Sequence, residues 1–221
     1  MLSRLIMLMK AAFVPYSTEY TTPGTSTISI PAGATTVTIE CIGSGARGDV
    51  NSGVRGAGGG GSAYAKKNTY SLSGLTGIYI SVSAINTTEE GAALDSFAKE
   101  NSSGGTTICL AAGAPGAVAD GSTPLGGTAA SSTGDVKYSG GSGASVHSSD
   151  EVASGGGGSA GPSGAGGNAS YDTAGTGNGA PAGNGGSGSG VAGSAAGGGG
   201  GAHYSGTSGN GARGWIKLSW A

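Results

Sequence analysis

Gly43-Ser-Gly-Ala-Arg-Gly48 has the G-x-G-x-x-G spacing with which a glycine-rich turn brings backbone N–H groups up to a pyrophosphate, and it follows an alternating apolar run that reads as a strand. That chemistry also needs a helix directly downstream, and Asp49-Val-Asn-Ser-Gly-Val-Arg-Gly-Ala-Gly-Gly-Gly-Gly61 cannot form one. Gly157-Gly-Ser159-Ala-Gly161 has the spacing of a nucleophile elbow, but no strand precedes it. His147 and His203 have no acid at a telling spacing and read as exposed loop histidines. Arg47-Gly-Asp49 spells an integrin-type tripeptide of the kind that arises by chance in glycine-rich turns, and the adjacent pairs Glu89-Glu90 and Asp150-Glu151 point apart on a strand. The expectation is a non-enzymatic chain with no cofactor and no metal site.

Contact chemistry is left to the side chains that interrupt the glycines. They fall in Ala119–Leu125, Ser145–Val152, Asn168–Thr173 and Ala202–Ser205, with Tyr138 standing between the first two. Tyr138, His147, Asp150, Tyr171, Asp172, His203 and Tyr204 are the candidates, because aromatic tips on rigid supports bind sugars and protein loops at low entropic cost. For Tyr138 and Tyr204 the alternative is simply to cap a bundle.

The elements that position them must be built largely from glycine. The chain holds 51 glycines in 221 residues; only Gly24 and Gly33 lie in the first 40, and 26 crowd the stretch from Gly155 to Gly214. So few side chains cannot bury enough apolar surface, at about 25 cal/mol per Å², to offset a backbone entropy cost of roughly 1–2 kcal/mol per residue. The tract is therefore disordered or built on backbone alone. A disordered tail would be richer in Lys, Glu, Gln and Pro, and it would have no reason to end in the strand-like Trp215-Ile-Lys-Leu-Ser-Trp220. The ordered alternative is a set of polyproline-II-type helices, which lack internal hydrogen bonds and must pair with neighbours. Gly155, Gly158, Gly161, Gly164 and Gly167 recur at that three-residue period, as do Gly183 with Gly186 and Gly197 with Gly200. The triplet breaks too often, and Pro is too rare at 7, for collagen.

Around this tract the pattern is β. Ile28 and Ile30 share one face and Val37, Ile39 and Cys41 another, with Pro31-Ala-Gly-Ala between, which predicts a hairpin-like start. Tyr64–Lys67, Tyr70–Leu72, the run around Ile78, Ile80 and Val82, and a run marked by Ile108 and Leu110 read as further strands. Ile216, Leu218 and Trp220 share a face of the last. Residues Glu89 to Glu100 alone have helical composition, enough for a turn or two.

Aromatic residues at 5% and charged residues at 10% imply a small core. A net charge of −2 with scattered Lys and Arg argues against nucleic acid as a partner. Cys41 and Cys109 sit in apolar strand-like runs and read as small buried hydrophobes rather than a disulfide. The N-terminus resembles a signal peptide superficially, but Lys10 interrupts a short run and Ala11-Ala12-Phe13 is a poor cleavage site, so a docking segment is expected. No segment reaches the roughly 18 apolar residues that span a membrane, so membrane insertion is not expected.

The chain resembles the glycine-rich domain of bacteriophage tail fibres and tail-fibre-tip adhesins. The matching stretches are residues 21–40 (Thr-Thr-Pro-Gly-Thr-Ser-Thr-Ile-Ser-Ile-Pro-Ala-Gly-Ala-Thr-Thr-Val-Thr-Ile-Glu), 58–65, 134–141, 154–168 and the closing 211–218. The resemblance implies a mainly β fold with little or no α-helix: a small β-sandwich-like domain carrying a bundle of polyglycine-II helices. Its parts would be an N-terminal docking segment (1–20), a β-domain (21–111 with 211–221) and a glycine-rich helical region (112–210) with exposed loops. It implies a surface-exposed virion protein that binds a host-cell receptor, protein or glycan, through those loops, with a homotrimer as one expected state. Leu5, Ile6, Leu8 and Phe13 would dock it to other virion proteins. Residues 1–20 are short beside the attachment domains of free-standing adhesins, so a structural component of tail or head, such as a decoration or adaptor, is a second expectation. An ice-binding polyglycine-II protein is a third and predicts thermal hysteresis; a disordered silk-like protein predicts tandem repeats that this chain lacks.

Overall fold

A computed structural model describes residues 13–49, 56–89, 91–116, 123–146, 153–203 and 206–221. The strands among them are β1 (Tyr16–Tyr20), β2 (Gly24–Ser29), β3 (Thr36–Ile42), β4 (Tyr64–Ser71), β5 (Gly77–Val82), β6 (Ser96–Glu100), β7 (Thr107–Ala111), β8 (Val136–Tyr138) and β9 (Trp215–Trp220). They form two antiparallel sheets, one ordered β1-β9-β3-β4-β8 and the other β2-β5-β6-β7. No α-helix occurs among the described residues.

Period-two alternation builds the core between the sheets. Val37, Ile39 and Cys41 of β3 and Ile216, Leu218 and Trp220 of β9 meet Ile78, Ile80 and Val82 of β5, Ala98 of β6 and Ile108 and Cys109 of β7. All are buried, and each full-sized aliphatic among them contributes roughly 1.5–3 kcal/mol. Both cysteines are free thiols within this core, as their apolar flanks suggested.

Several local expectations are corrected. The hairpin-like start does not form: β2 pairs with β5 in one sheet and β3 with β4 and β9 in the other. The inward faces of β2 and β3 approach the same core from opposite sides, so the Pro31 connection crosses between sheets. Tyr64–Lys67 and Tyr70–Leu72 are not two strands but the single β4. A bulge sets Val37 opposite Tyr70 and Ile39 opposite Lys67, inserting one extra β4 residue and breaking the alternation. A second bulge turns both Ile108 and Cys109 inward and leaves Leu110 half-buried outside. The stretch of helical composition, Glu89–Glu100, carries strand β6 instead, because Ala98 fills the core and Phe97 lies outward beside Tyr79.

Boundaries move as well. Tyr16–Tyr20, placed with the docking segment, is the edge strand β1, and Val136–Tyr138, placed in the glycine-rich region, is the edge strand β8. Residues 43–49 and 56–63, placed in the β-domain, hydrogen-bond with glycine-rich segments, for example Gly59 N–H to Gly200 O at 2.8 Å.

Outside the strands, the glycine-rich segments satisfy their backbone from one another. Segment 153–161 is buried throughout and has no strand assignment. Gly155, Gly158 and Gly161 donate to the carbonyls of Tyr171, Gly167 and Gly164; Gly156 and Ser159 donate to Gly186 and Gly183; Gly157 and Ala160 donate to Gly59 and Ser62. Each successive residue addresses a different neighbour and the fourth returns to the first. The carbonyls repeat the arrangement, with Gly155 and Gly158 accepting from Ala144 and Gly141, Gly156 and Ser159 from Gly175 and Asn178, and Gly157 from Gly199. The segment thus lies among six others, three reached by donation and three by acceptance, and buried polar backbone finds partners at the rate that folded proteins require.

Glycine is obligatory where these backbones touch. A Cβ on Gly158 would stand 2.1 Å from Thr176 O, and one on Gly58 would stand 1.9 Å from Gly155 O. Side chains return where the layer meets the first sheet: Ala160 and Ala196 pack with Ile42, Tyr64 and Trp215 in a second core.

Candidate functional site

The motif-like spacings belong to the scaffold. Gly45 and Gly48 donate to Ala212 O and Gly209 O, so the G-x-G-x-x-G glycines are spent on close backbone approach. Arg47 is tied by Nε to Ser208 Oγ at 2.9 Å, by a guanidinium N–H to Thr87 O, and by an ion pair at 3.0 Å to Glu89; Asp49 is buried. Ser159, at the elbow-like spacing, is fully buried with its hydroxyl bonded to Ala160 O and beside Ser62 Oγ. No group of His, Cys, Asp and Glu among the described residues is arranged to hold a metal ion.

The candidate contact residues separate into two places. Tyr138 lies on β8 opposite Tyr64, with the rings stacked at 6.3 Å and 19°, packed against the second core at the base of the glycine-rich layer. There the Tyr64 phenol donates to Glu40 Oε2 at 2.6 Å, and burial first, then that bond, pushes its pKa far above the usual phenol range. Tyr171, Asp172 and His203 lie outside the strands and outside the core clusters, in the glycine-rich segments. The segment 188–190 joins them: Gly188 donates to Asp172 O and Gly190 to Ala202 O, both at 2.8 Å. His203 Nδ1 accepts the Gly206 N–H. His147, Asp150 and Tyr204 fall outside the described residues, as do Leu5, Ile6 and Leu8. Phe13 is half-buried against the sandwich core and 6.1 Å from the Tyr16 ring, so its side chain is engaged within the chain.

The turn that carries Tyr171 is unusual in its chemistry. Ser170 and Thr173 exchange both backbone hydrogen bonds, which makes Tyr171 and Asp172 the central pair of a two-residue turn. Tyr171 alone of the pair takes a positive φ, 60°, the type II′ pattern whose first central position favours glycine. Asn101, at φ 55°, shows the ordinary case, since Asn tolerates this region and its Oδ1 accepts the Thr76 N–H. A bulky side chain there costs roughly 1–3 kcal/mol and persists only where its surroundings over-determine it. Here they do: Gly155 donates to Tyr171 O at 2.7 Å and Gly188 to Asp172 O.

Tyr171 borders a cleft of ≈ 210 Å³ whose other walls are Thr123, Gly143, Ala144, Ser145 and Ala169. Two of its lining residues are held by backbone bonds, Gly143 N–H to Pro124 O and Ala169 N–H to Ser142 O. No protein-family model matches the chain, and no curated protein matches its sequence. The cleft draws on three of the four side-chain-bearing segments visible in the sequence. Thr123, Ser145 and Ala169 were not singled out there, because small residues within such segments carry no signal until the backbone brings them together. A larger cleft of ≈ 360 Å³ lies where β1 runs into β2, lined by residues 19–26 with Ile80 and Val82.

Proposed function

We propose that the glycine-rich segments are polyglycine-II helices and that the chain is a non-enzymatic bacteriophage virion protein, which uses them to hold receptor-binding loops rigidly toward the host surface. The observation that carries this reading is the three-residue hydrogen-bond repeat of 153–161, with the loops bearing Asp172 and His203 linked through segment 188–190. A backbone-only bundle has no side chains for chemistry, so recognition falls to the loops it supports. The resemblance to phage fibre domains supplies the biological setting. In this reading residues 1–12, with Leu5, Ile6 and Leu8, attach the chain to other virion proteins, and the loops 145–152, 168–173 and 202–205 meet a protein or glycan receptor.

The test is binding of the labelled chain to cells of the host bacterium, with and without replacement of all three loops by glycine-serine turns of equal length. Binding that falls by an order of magnitude or more while thermal stability is retained supports the proposal. Unchanged binding, or normal adsorption of particles lacking the chain, overturns it in favour of a purely structural virion component.

A further inference from the structure

The chain has 2 cysteines, and the fold brings both to one place. Cys41 lies on β3 of one sheet and Cys109 on β7 of the other, and both are fully buried in the core between them. Facing sheets ordinarily stand about 10 Å apart, too far for a disulfide, whose Cα atoms lie roughly 4.4–6.8 Å from each other. Here the sheets converge. A Cβ on Gly43, just past β3, would stand 2.6 Å from the carbonyl oxygen of Ala112, just past β7, and Ala63 N–H donates to that same oxygen at 3.0 Å. The Cys109 sulfur is only two bonds from its Cα, yet its thiol reaches the backbone of the facing strand and donates to Ile39 O at 3.7 Å. Ile39 precedes Cys41 on the inward face of β3, and the Cys41 thiol is hydrogen-bonded to that of Cys109.

We propose that Cys41 and Cys109 form a cross-linking site, which a low-molecular-weight disulfide closes as the chain folds, giving an intrachain bond that staples the two sheets. One cysteine loses its proton, and the thiolate attacks a sulfur of the small disulfide, forming a mixed disulfide and expelling one small thiolate. The second cysteine, deprotonated in turn, attacks the protein sulfur of that mixed bond and expels the other small thiolate. The two cysteines give up two electrons, the small disulfide is reduced to two thiols, and the two protons end on them. Burial shields both sulfurs from the oxidant in the closed fold, so exchange takes place before the sheets close, and the finished bond is shielded from reductant in the same way. The bond stabilises the fold by restricting the unfolded chain between Cys41 and Cys109.

The experiment refolds the full chain from urea in glutathione buffers of graded oxidised-to-reduced ratio, then alkylates free thiols and weighs the product by mass spectrometry. In oxidised buffer the folded chain is expected to be lighter than the reduced one by two hydrogens, with one peptide pair joined through Cys41 and Cys109. By linkage, the fold favours the bond by the same factor with which the bond favours the fold. The equilibrium constant for cross-linking against glutathione is therefore expected to be about 30-fold or more larger in folding buffer than in urea. The cross-linked chain is expected to melt about 5 °C or more above the reduced one. Cys109→Ala, which can form only a mixed disulfide, is expected to gain no thermal stability from the same buffers. Free thiols or mixed disulfides alone after refolding in oxidised buffer, or a cross-linked chain no more stable than the reduced one, overturns the proposal. An equal cross-linking constant in urea and in folding buffer also overturns it, and that comparison uses the wild-type chain alone, so it holds whether or not Cys109→Ala folds.

Discussion

Trp215 Nε1 donates to Glu19 Oε2 at 3.2 Å, linking residues 196 positions apart in the chain. The bond ties the closing strand to the first one, and the same indole packs on Ala160 and Ala196 of the glycine-rich layer. Strand β9 thus serves both layers: Ile216, Leu218 and Trp220 enter the sandwich core while Trp215 anchors the glycine segments on its outer face.

Trp215→Phe removes this hydrogen bond and part of a buried ring, and is expected to cost about 1–3 kcal/mol in urea unfolding. Glu19→Gln keeps an acceptor and is expected to stay within about 0.5 kcal/mol of wild type. Equal effects from the two would contradict the role assigned to the indole.

Two glycine substitutions should part company. Gly158→Ala drives a Cβ to 2.1 Å from Thr176 O, between backbones that cannot retreat without breaking neighbouring bonds, and is expected to destabilise by more than about 3 kcal/mol or prevent folding. Gly104→Ala meets nothing within 4 Å and has no positive φ, so its effect is expected between about −0.5 and +1 kcal/mol of stabilisation. Thermal melts of the pair decide the matter.

Most of the core was legible in the sequence, because alternation at Val37, Ile39, Cys41, Ile216 and Leu218 reports burial directly. What escaped was which strand pairs with which. Ile28 and Val37 both alternate cleanly, but nothing local says that they face one another across a core instead of lying side by side. The bulges at Val37/Ile39 and at Ala98/Lys99 hid the continuity of β4 and the outward turn of Leu110. In the glycine tract the period of three was visible, whereas the neighbours of each segment were not, since glycine carries no side chain to specify a partner. Tyr171 was visible as an aromatic interruption, but its positive φ depends on bonds from Gly155 and Gly188 that only the fold supplies.

Alkaline pH should destabilise the fold through Tyr64. Its folded-state pKa is raised above the ordinary value of about 10, so above pH 10 the unfolded chain loses the proton while the folded chain keeps it. The stabilisation present below pH 10 is therefore lost as pH rises, by at most about 1.4 kcal/mol per pH unit for this group. Tyr64→Phe is expected to flatten the stability profile between pH 10 and 11 relative to wild type in parallel denaturant titrations; identical slopes would contradict it.

Cys41 and Cys109 are both fully buried, and burial, reinforced by the neighbouring Cys109, pushes the Cys41 thiol well above its ordinary pKa. A chromogenic aromatic disulfide is expected to leave both thiols untouched in the native chain at pH 8 and to titrate 2 per chain in denaturant. Rapid native labelling would show that the inter-sheet core opens.

The central claim is that the glycine tract is an ordered, backbone-bonded scaffold, and residue-resolved amide hydrogen exchange tests it most directly. The amides of Gly156, Gly157 and Gly158, donated to Gly186, Gly59 and Gly167, are predicted to exchange as slowly as that of Leu218 in strand β9, which is paired on both sides. Exchange of those three amides at the rate of an unstructured chain, with Leu218 still protected, would contradict it.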